Sequence, residues 1–337
     1  MASIDQLDRF PRVRLLEGPT PIQRLPRVEA ALGPEHGIKL FVKRDDLMGL
    51  GGGGNKLRKL EFLLGEAQAR GADTIVTVGG RQSNHARLTA AAARLGLRCE
   101  LVLVRMVPRH DPDYVDNGNI LLDDLFGARV HDLPAGSDAL AFAEARAAEL
   151  KAEGRSAYVA SIGGSSPIGC LGYAACAAEI ASQSRELGLT FSRVVVPNGS
   201  SGTHAGLAAG FEALGTGAAI VKSFAVLAKA DVAQATTLEK ARATAALLGL
   251  ASPIGADAIE VAGDQLGEGY GMPTPTMVSA VRLAASREGL LLDPVYSGKA
   301  FAGVLADIQS GRIAAGQSLL FIMTGGAPSL FSYRSAF

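Results

Sequence analysis

The chain has 337 residues, of which 48% are hydrophobic and 20% are charged, and its 33 basic residues balance 33 acidic ones. This composition predicts a globular protein with a large core, and the lack of a long basic run argues against a nucleic acid or an anionic membrane as a partner. Residues 1–14 lack a secretory apolar core, no apolar run could span a membrane, and three scattered cysteines suggest neither a disulfide framework nor a zinc site. We therefore expect a cytoplasmic enzyme without a metal centre.

A glycine run that leads into a helix is the first informative element. Residues 51–54 are all glycine, and after Asn55 and Lys56 leucines recur at the helical positions 57, 60, 63 and 64. Lys56 therefore lies in or next to the first turn, where the positive end of the helix dipole disfavours the charged form of an amine. Such a lysine can act as a Schiff-base nucleophile, although most lysines are solvated surface groups.

The same glycines formally satisfy the dinucleotide-binding pattern G-x-G-x-x-G over residues 49–54. That pattern requires a strand immediately before it, but four charged residues at 43–46 separate it from the apolar residues 40–42. The acidic residue that should close a second strand is also missing, because Asp73 precedes its strand. The sequence therefore does not favour a nicotinamide cofactor.

Short apolar strands, glycine-rich loops and helices alternate along most of the chain. Strands are predicted at 74–78, 100–106, 157–162, 193–196 and 319–323, and helices at 117–126, at about 139–153, and ending near 95, 180 and 214. This alternation predicts mainly parallel sheets flanked by helices, with ligands at the carboxyl ends of the strands. We expect a two-domain α/β fold, with a large domain of residues 1–59 plus 179–337, a small domain of residues 60–178, and the active site in the cleft between them.

One of these glycine-rich loops has the features of a phosphate-binding turn. It offers backbone N–H groups, hydroxyl donors and the start of a helix through Gly199, Ser200, Ser201, Gly202 and Thr203. No lysine follows it as in a triphosphate site, so a cofactor monophosphate is the better match. An ordinary strand-to-helix turn is the alternative.

A second loop, Gln82-Ser83-Asn84-His85, also precedes a helix. Ser or Asn is the expected N-cap there, and donors at a helix N-terminus would also suit a substrate carboxylate. We do not expect His85 to be catalytic, because a histidine in this setting more often packs or bonds locally. Serine hydrolase chemistry is not predicted, because no G-x-S-x-G elbow follows a strand.

Two tyrosines lie beside glycines in predicted turns, Tyr270 and Tyr296. Glycine-flanked aromatic side chains can face a site, although most tyrosines in a chain of this size are packing residues. Lys299 competes with Lys56 for the Schiff-base role, but it lacks a glycine-rich approach, so we rank Lys56 first.

Together these motifs resemble the pyridoxal-phosphate enzymes of fold type II (tryptophan synthase β-like), and among them the group of D-cysteine desulfhydrases and 1-aminocyclopropane-1-carboxylate (ACC) deaminases. The resemblance runs nearly end to end, over residues 9–12, 18–21, 43–46, 53–61, 82–85, 117–119, 202–206, 293–296 and 324–328. It implies that the large domain binds pyridoxal 5'-phosphate, that the substrate is a small amino acid, and that the protein is a homodimer.

The resemblance implies roles around the cofactor. Lys56 would carry it covalently, the loop from Ser200 to Thr203 would bind its phosphate, Asn84 would bond its phenolic oxygen, and Thr324 would face its pyridine nitrogen. A neutral hydroxyl does not enforce protonation of the pyridine as a carboxylate would. The ring is then a weaker electron sink, which suits β-elimination rather than transamination.

The resemblance also implies roles around the substrate. Ser83, with Gln82 and Asn84 beside it, would hold the carboxylate, and Tyr270 and Tyr296 would flank the substrate. The α-proton would be removed by the freed cofactor lysine or by a tyrosine. Elimination from D-cysteine would give sulfide, pyruvate and ammonia, with the cofactor carrying the difficult chemistry.

The choice within the group depends on few residues. ACC deaminases typically carry Glu where this chain has Ser297 and Leu where it has Thr324, so we favour a D-cysteine desulfhydrase. L-cysteate sulfo-lyase, ACC deaminase and a non-catalytic carrier or sensor of pyridoxal phosphate are the alternatives. The chain also departs from the group at residues 79–81 and at Met323. Arg81 would favour a second negative group on the substrate if it reached the pocket, but we expect it at the surface or behind the residues that line the pocket.

Overall fold

A computed structural model describes residues 4–337, so the first three residues of the predicted large domain lie outside the described part of the chain. The helices are α1 Pro26–Leu32, α2 Lys56–Ala69, α3 Asn84–Ala93, α4 Pro112–Asp116, α5 Asn119–Leu125, α6 Ala139–Ala152, α7 Pro167–Leu187, α8 Gly202–Ala213, α9 Ala230–Leu247, α10 Pro275–Glu288, α11 Ser297–Gln309 and α12 Pro328–Ser332. The strands are β1 Ile22–Arg24, β2 Lys39–Arg44, β3 Thr74–Gly80, β4 Arg98–Val104, β5 Arg129–Leu133, β6 Ala157–Ala160, β7 Arg193–Asn198, β8 Val221–Ala225, β9 Glu260–Ala262 and β10 Ser318–Met323.

The strands form two sheets. The larger sheet has the order β1-β2-β10-β7-β8-β9, and its strands are parallel except for β1, which runs antiparallel to β2. The smaller sheet has the order β5-β4-β3-β6 and is parallel throughout. The predicted α/β fold with mainly parallel sheets is therefore confirmed.

Helices cover both faces of the larger sheet, as the side chains of β7 illustrate. Val195 packs into a core with α10 and α11, whereas Val194 and Val196 pack into a core with α7 and α8. Successive residues of a strand point to opposite faces, so a strand buried on both faces must be apolar at nearly every position. This explains why the parallel strands are short apolar runs in the sequence.

Glycines let α2, α7 and α8 approach one another closely. A methyl group on Gly172 of α7 would overlap the backbone carbonyl of Arg58 in α2, and one on Gly206 of α8 would overlap the carbonyl of Cys170 in α7. The beginning of α7 therefore lies between the beginnings of α2 and α8. This packing brings the start of α2, with Lys56, near the loop that precedes α8.

Most predicted elements are confirmed, with differences at their ends. Helix α2 begins at Lys56, as predicted, but α7 continues to Leu187, past the predicted end near Ile180. Its true end is marked by Gly188, which has the left-handed φ of +62° typical of a helix C-cap. The predicted domain boundaries fall inside α2 and α7, and the partition into two domains stays a prediction.

The three cysteines are all buried and free, and Cys170 and Cys176 are packing residues. Within residues 4–337 no helix combines the length and the apolar character needed to cross a membrane. The same part of the chain contains no group of three or more His, Cys, Asp or Glu side chains arranged to hold a metal ion.

Candidate functional site

An open cavity of ≈ 710 Å³ lies at the carboxyl ends of strands from both sheets. Parallel strands deliver their following loops to one edge of a sheet, which is where ligands bind in such folds. The cavity is lined by most of the residues that the sequence singled out, namely Lys56, Ser83, Asn84, Gly199, Ser200, Ser201, Thr203, Tyr270, Tyr296 and Thr324. Gln82 and Gly202 do not line it.

Lys56 reaches the cavity from the first residue of α2. Burial lowers the pKa of its amine to about 8, against a smaller opposing effect of Asp293. Gly163 leaves room for Ser200, because a methyl group there would overlap Ser200 Oγ, whereas its 3.6 Å separation from Lys56 Nζ would be an ordinary contact. At a pKa of about 8, roughly a tenth of this amine is neutral at pH 7, and this nucleophilic fraction is far larger than for an ordinary lysine.

The loop after β7 forms a turn at the N-terminus of α8 whose geometry is suited to an anion. Ser201 has a left-handed φ of +67°, the only positive φ of a non-glycine residue within residues 4–337. It occupies the N-cap position of α8 without a side-chain capping bond, so the first-turn N–H groups are not satisfied by that side chain. Such strain and uncapped donors are typical of ligand-binding turns. Asn55 Nδ2 donates to Thr203 Oγ1 at 3.1 Å and ties this turn to the start of α2.

Two lysines that the sequence analysis did not identify lie beside this turn. Lys59 Nζ donates to Ser165 Oγ at 2.8 Å, and Ser165 Oγ lies 2.7 Å from Ser200 Oγ. Lys240 Nζ donates to the carbonyl of Ser200 at 2.9 Å. Burial lowers the pKa of both amines, and for Lys59 the nearby Lys56 lowers it further.

Among the described residues, no carboxylate forms an ion pair with the three lysines around the turn. The lysine ion pairs found within residues 4–337 involve only Lys43 and Lys222. Buried cations are normally paired. Lys56, Lys59 and Lys240, together with the uncapped start of α8, therefore form a site suited to a dianionic group such as a phosphate.

The start of α3 forms the opposite part of the cavity. Ser83 caps the helix, because its Oγ accepts a hydrogen bond from the N–H of Ala86 at 3.1 Å. Asn84 Oδ1 accepts from Asn119 Nδ2 at 2.9 Å, which orients its amide so that Nδ2 is left to donate to a ligand. The loop thus presents donors to a carboxylate or to an oxygen of a bound group.

Gln82 was predicted to lie beside the substrate carboxylate, but its side chain bonds other parts of the protein. Its Nε2 donates to the carbonyls of Tyr114 and Asn117 at 2.7 and 2.9 Å, and its Oε1 accepts from the N–H of Asn119 at 2.9 Å. The side chain therefore holds the segment that orients Asn84 and has no free donor for a substrate.

The two predicted tyrosines meet in the cavity. The hydroxyls of Tyr270 and Tyr296 lie 2.6 Å apart, and the rings pack edge to face with their centroids 6.0 Å apart. Burial raises the pKa of both phenols, so both are neutral at neutral pH. The pair can hold a proton and donate it to a bound group.

Asp293, for which the sequence predicted no separate role, fixes the backbone around Tyr296. Its carboxylate accepts hydrogen bonds from the N–H groups of Val295, Tyr296 and Ser297 at 3.0, 2.8 and 2.7 Å, and from Ser297 Oγ at 2.5 Å. Ser297 is therefore buried against Asp293 and does not line the cavity. Thr324, which follows β10, does line it.

Three other residues were considered from the sequence, and the structure gives none of them a free functional group in the cavity. Lys299 Nζ donates to the carbonyls of Leu266 and Gly269 and does not line the cavity. Arg81 pairs with Asp132 at 2.5 Å and also lies outside the lining. His85 lines the cavity, but its Nε2 lies 2.9 Å from Thr77 Oγ1, and burial lowers its pKa so that it is neutral.

Further lining residues were not found from the sequence. They are Asn55, Gly79, Gly80, Met106, Ile162, Gly163, Pro197 and Leu227. Apolar lining residues carry no local signal that distinguishes them from core residues. Gly163 directly follows the strand predicted at 157–162, so its position at a strand end was the available clue.

Comparisons with known proteins agree with this geometry. Residues 13–325 match the sequence profile of the family described as pyridoxal-phosphate dependent enzymes. The chain is 42% identical over 335 residues to the D-cysteine desulfhydrase of Salmonella schwarzengrund, covering 98% of both chains. It is 43% identical over 334 residues to the D-cysteine desulfhydrase of Klebsiella pneumoniae, covering 98% of this chain and 99% of the relative.

A solved structure described as an ACC deaminase homologue superposes with a TM-score of 0.87 at 39% identity, covering 98% of this chain and 97% of that one. A cystathionine β-synthase from Helicobacter pylori superposes with a TM-score of 0.60 at 18% identity and shares the fold. The chain therefore belongs to the family of pyridoxal-phosphate-dependent enzymes, with the α/β architecture of its fold type II members.

Proposed function

We propose that this enzyme is a D-cysteine desulfhydrase, a pyridoxal-phosphate-dependent lyase that converts D-cysteine to pyruvate, sulfide and ammonia. The observation that carries the proposal is the convergence in one cavity of Lys56, an anion-binding turn, the start of α3 and a pair of tyrosine hydroxyls. The relatives of that name, which match over nearly their whole length, support it.

The residues around the cavity fit pyridoxal phosphate. The turn before α8 and the unpaired lysines fit the phosphate, and the amine of Lys56 fits covalent attachment. The free Nδ2 of Asn84 suits the phenolic oxygen, and the Thr324 hydroxyl suits the pyridine nitrogen. When bound, the cofactor withdraws electrons from the α-carbon of the substrate, which allows the α-proton and then the β-substituent to leave.

The protein would orient the substrate through the start of α3. Ser83 and the neighbouring backbone donors would hold the carboxylate, which places the α-carbon toward Lys56. Lys56 Nζ, with its lowered pKa, would accept the α-proton as a general base. The hydroxyls of Tyr270 and Tyr296 would supply a proton to the departing sulfur.

Two other reactions of related enzymes compete with this proposal. L-cysteate sulfo-lyase would require a cation for the sulfonate, but Arg81 is paired with Asp132 outside the cavity. ACC deaminase is favoured by the superposition on an ACC deaminase homologue. A non-catalytic carrier or sensor would not need the tyrosine pair or the substrate-facing Ser83.

We further propose that the enzyme is a cytoplasmic homodimer. The three buried free cysteines suit a reducing compartment. The dimer is proposed by analogy with the resembling family, and sedimentation or light scattering of the purified protein would test it.

The substrate is tested by giving the holoenzyme D-cysteine, L-cysteine, L-cysteate and ACC in parallel and measuring pyruvate, 2-oxobutyrate, sulfide and sulfite. We expect sulfide and pyruvate in equal amounts from D-cysteine. Sulfite from L-cysteate alone would indicate a sulfo-lyase, and 2-oxobutyrate from ACC alone would indicate an ACC deaminase. A holoenzyme inactive on these four and on a wider panel of D- and L-amino acids would favour the carrier or sensor.

A further inference from the structure

Gly80 differs from the other glycines that line the cavity, because nothing around it requires a glycine. It is the last residue of β3, and its φ is not in the left-handed region. A methyl group built on it would lie 3.4 Å from Met106 Sδ and 3.7 Å from both Cε1 and the hydroxyl oxygen of Tyr270. These are ordinary van der Waals separations, so an alanine would fit at this position without strain.

The other glycines of the lining are fixed by their neighbours. A methyl group on Gly79 would lie 2.6 Å from Ser83 Oγ, and one on Gly199 would lie 3.0 Å from Cε1 of Tyr296. Gly163 has a φ of +63°, and its methyl group would overlap Ser200 Oγ. Gly80 is therefore the cavity glycine whose missing methyl group leaves usable space.

That space has a defined place relative to the proposed chemistry. It is bounded by Tyr270, whose hydroxyl pairs with that of Tyr296, and these are the hydroxyls proposed to protonate the departing sulfur. A group attached to that sulfur would lie next to Tyr270 and so next to Gly80. The other boundary is Met106, whose flexible side chain can adjust to its contacts. Because Met106 is 40% exposed, the space continues toward solvent.

We propose that Gly80 determines specificity by admitting a substituent on the sulfur, so that the enzyme also cleaves S-alkyl thioethers of D-cysteine. The inference rests on the proposed function and extends its substrate class. In the reaction the Cβ–S bond breaks and one water is consumed. The sulfur leaves as the alkanethiol after gaining a proton, and the remainder gives one pyruvate and one ammonium ion. No oxidant, reductant or other co-reactant is needed.

The test compares the wild-type holoenzyme with Gly80→Ala on D-cysteine, S-methyl-D-cysteine and S-ethyl-D-cysteine. We expect wild type to release alkanethiol and pyruvate in equal amounts. We expect Gly80→Ala to lower the ratio of kcat/KM for the S-ethyl compound to that for D-cysteine by about tenfold or more, since one methylene in a pocket changes discrimination by roughly 10- to 200-fold. Gly18→Ala is the matched control, because Gly18 is exposed, has no atom within 4 Å of an added methyl group and lies outside the cavity.

A second variant and a binding measurement make the test independent of the folding of Gly80→Ala. Met106→Ala widens the same space, so the ratio of kcat/KM for the S-ethyl compound to that for D-cysteine should rise. As a competitor of sulfide release from D-cysteine, the S-ethyl compound should have a larger inhibition constant for Gly80→Ala than for wild type.

An unchanged ratio in both variants would overturn the proposal, and so would a wild type that cleaves D-cysteine but not the thioethers. A wild type that cleaves neither would instead contradict the proposed function itself.

Discussion

At the scale of single residues, the most consequential property is the lowered pKa of Lys56. Burial lowers it to about 8, and only the neutral amine can form a covalent bond to the cofactor. We predict that the apo enzyme takes up pyridoxal phosphate at a rate that rises about tenfold per pH unit below the pKa and levels off above about pH 8. Stopped-flow absorbance would measure this rate, and a rate independent of pH between about 6 and about 9 would contradict the assignment.

The tyrosine pair leads to a prediction about the proton supplied to the leaving group. Tyr296→Phe removes one of two hydroxyls that lie 2.6 Å apart, and it leaves the turn before α8 and Lys56 in place. We predict that kcat for D-cysteine falls by about 10²- to 10⁴-fold, as for the loss of a general acid, while the visible absorbance of the bound cofactor is retained. If kcat stayed within about twofold of wild type, the pair would have no part in proton transfer.

The residues that could be predicted from the sequence are those whose neighbours along the chain already indicate a function. Lys56 follows a glycine run and opens a helix, and Ser83 precedes an alanine-rich helix, so both are visible locally. Lys59 and Lys240 resemble ordinary helical lysines in the sequence. Their proximity to Ser200 results from the packing of α2, α7, α8 and α9, which no local pattern encodes.

At the scale of elements, α11 holds the loop that carries Tyr270. Lys299 in its first turn donates to the carbonyls of Leu266 and Gly269 at 2.7 and 3.0 Å, and its side chain is fully buried. Sequence reasoning treated this lysine as a rival of Lys56. The structure instead indicates a positioning residue, because its donors are used by the loop that holds Tyr270 near Tyr296.

We predict that Lys299→Met frees this loop, because it leaves two buried carbonyls without donors. Hydrogen–deuterium exchange in residues 266–271 should become faster and kcat should fall about tenfold or more, whereas the absorbance of the bound cofactor should be unchanged. Lys299→Arg can still donate to the carbonyls and should recover part of the loss. Unchanged exchange in Lys299→Met would contradict the positioning role.

Element ends were the least predictable feature of the fold. The local sequence pattern directly indicates where three elements start, namely the strands at Thr74 and Arg193 and the helix at Lys56. The extension of α7 past Ile180 depends on tertiary contacts, since Glu179 and Gln183 both bond Lys43 of β2. A sequence pattern that reports only local preference cannot include such a contact.

At the scale of the whole molecule, a buried ionic network joins the N-terminal segment, β2, α2 and α7. Arg58 of α2 bonds Asp45 at 2.8 and 3.0 Å and Glu179 of α7 at 2.8 Å, and Lys43 of β2 pairs with the same glutamate. Burial by itself would raise the pKa of Glu179, but the hydrogen bonds and charges of Arg58 and Lys43 outweigh it and lower the pKa to about 2. The network therefore anchors the helix that begins with Lys56.

This lowered pKa predicts how stability depends on pH. A carboxyl group whose pKa is lower in the folded state stabilises the fold above its unfolded pKa of about 4.3 and loses that contribution as the pH falls toward the folded value of about 2. Glu179→Gln should therefore lower the free energy of unfolding at neutral pH by an amount on the order of 3 kcal/mol, and the difference from wild type should shrink below about pH 4.

Thermal unfolding at neutral and acidic pH would measure this difference. Glu186→Gln, an exposed position on the same helix, is the matched control. A difference of equal size at both pH values would show that the network does not depend on the ionisation of Glu179.

The α/β class of the molecule was predictable because buried parallel strands must be apolar at nearly every position. The order of the strands was not, since the pairing of β10 with both β2 and β7 joins distant parts of the chain. The same limit applies to the cavity. The glycine- and serine-rich turn before α8 was visible in the sequence, whereas the lining of the cavity by Met106 and Leu227 depends on which loops the two sheets bring together.

The central claim is that Lys56 in this cavity carries the chemistry on D-cysteine. The most direct measurement is the release of sulfide and pyruvate from D-cysteine by wild type, by Lys56→Ala and by Lys151→Ala, an exposed lysine at the end of α6, each with its visible spectrum. The account predicts equal amounts of both products from wild type and Lys151→Ala. It predicts that Lys56→Ala loses the absorbance of the bound cofactor and that its rate of product release falls by more than about a thousandfold. A Lys56→Ala variant that released sulfide and pyruvate at the wild-type rate would contradict the account.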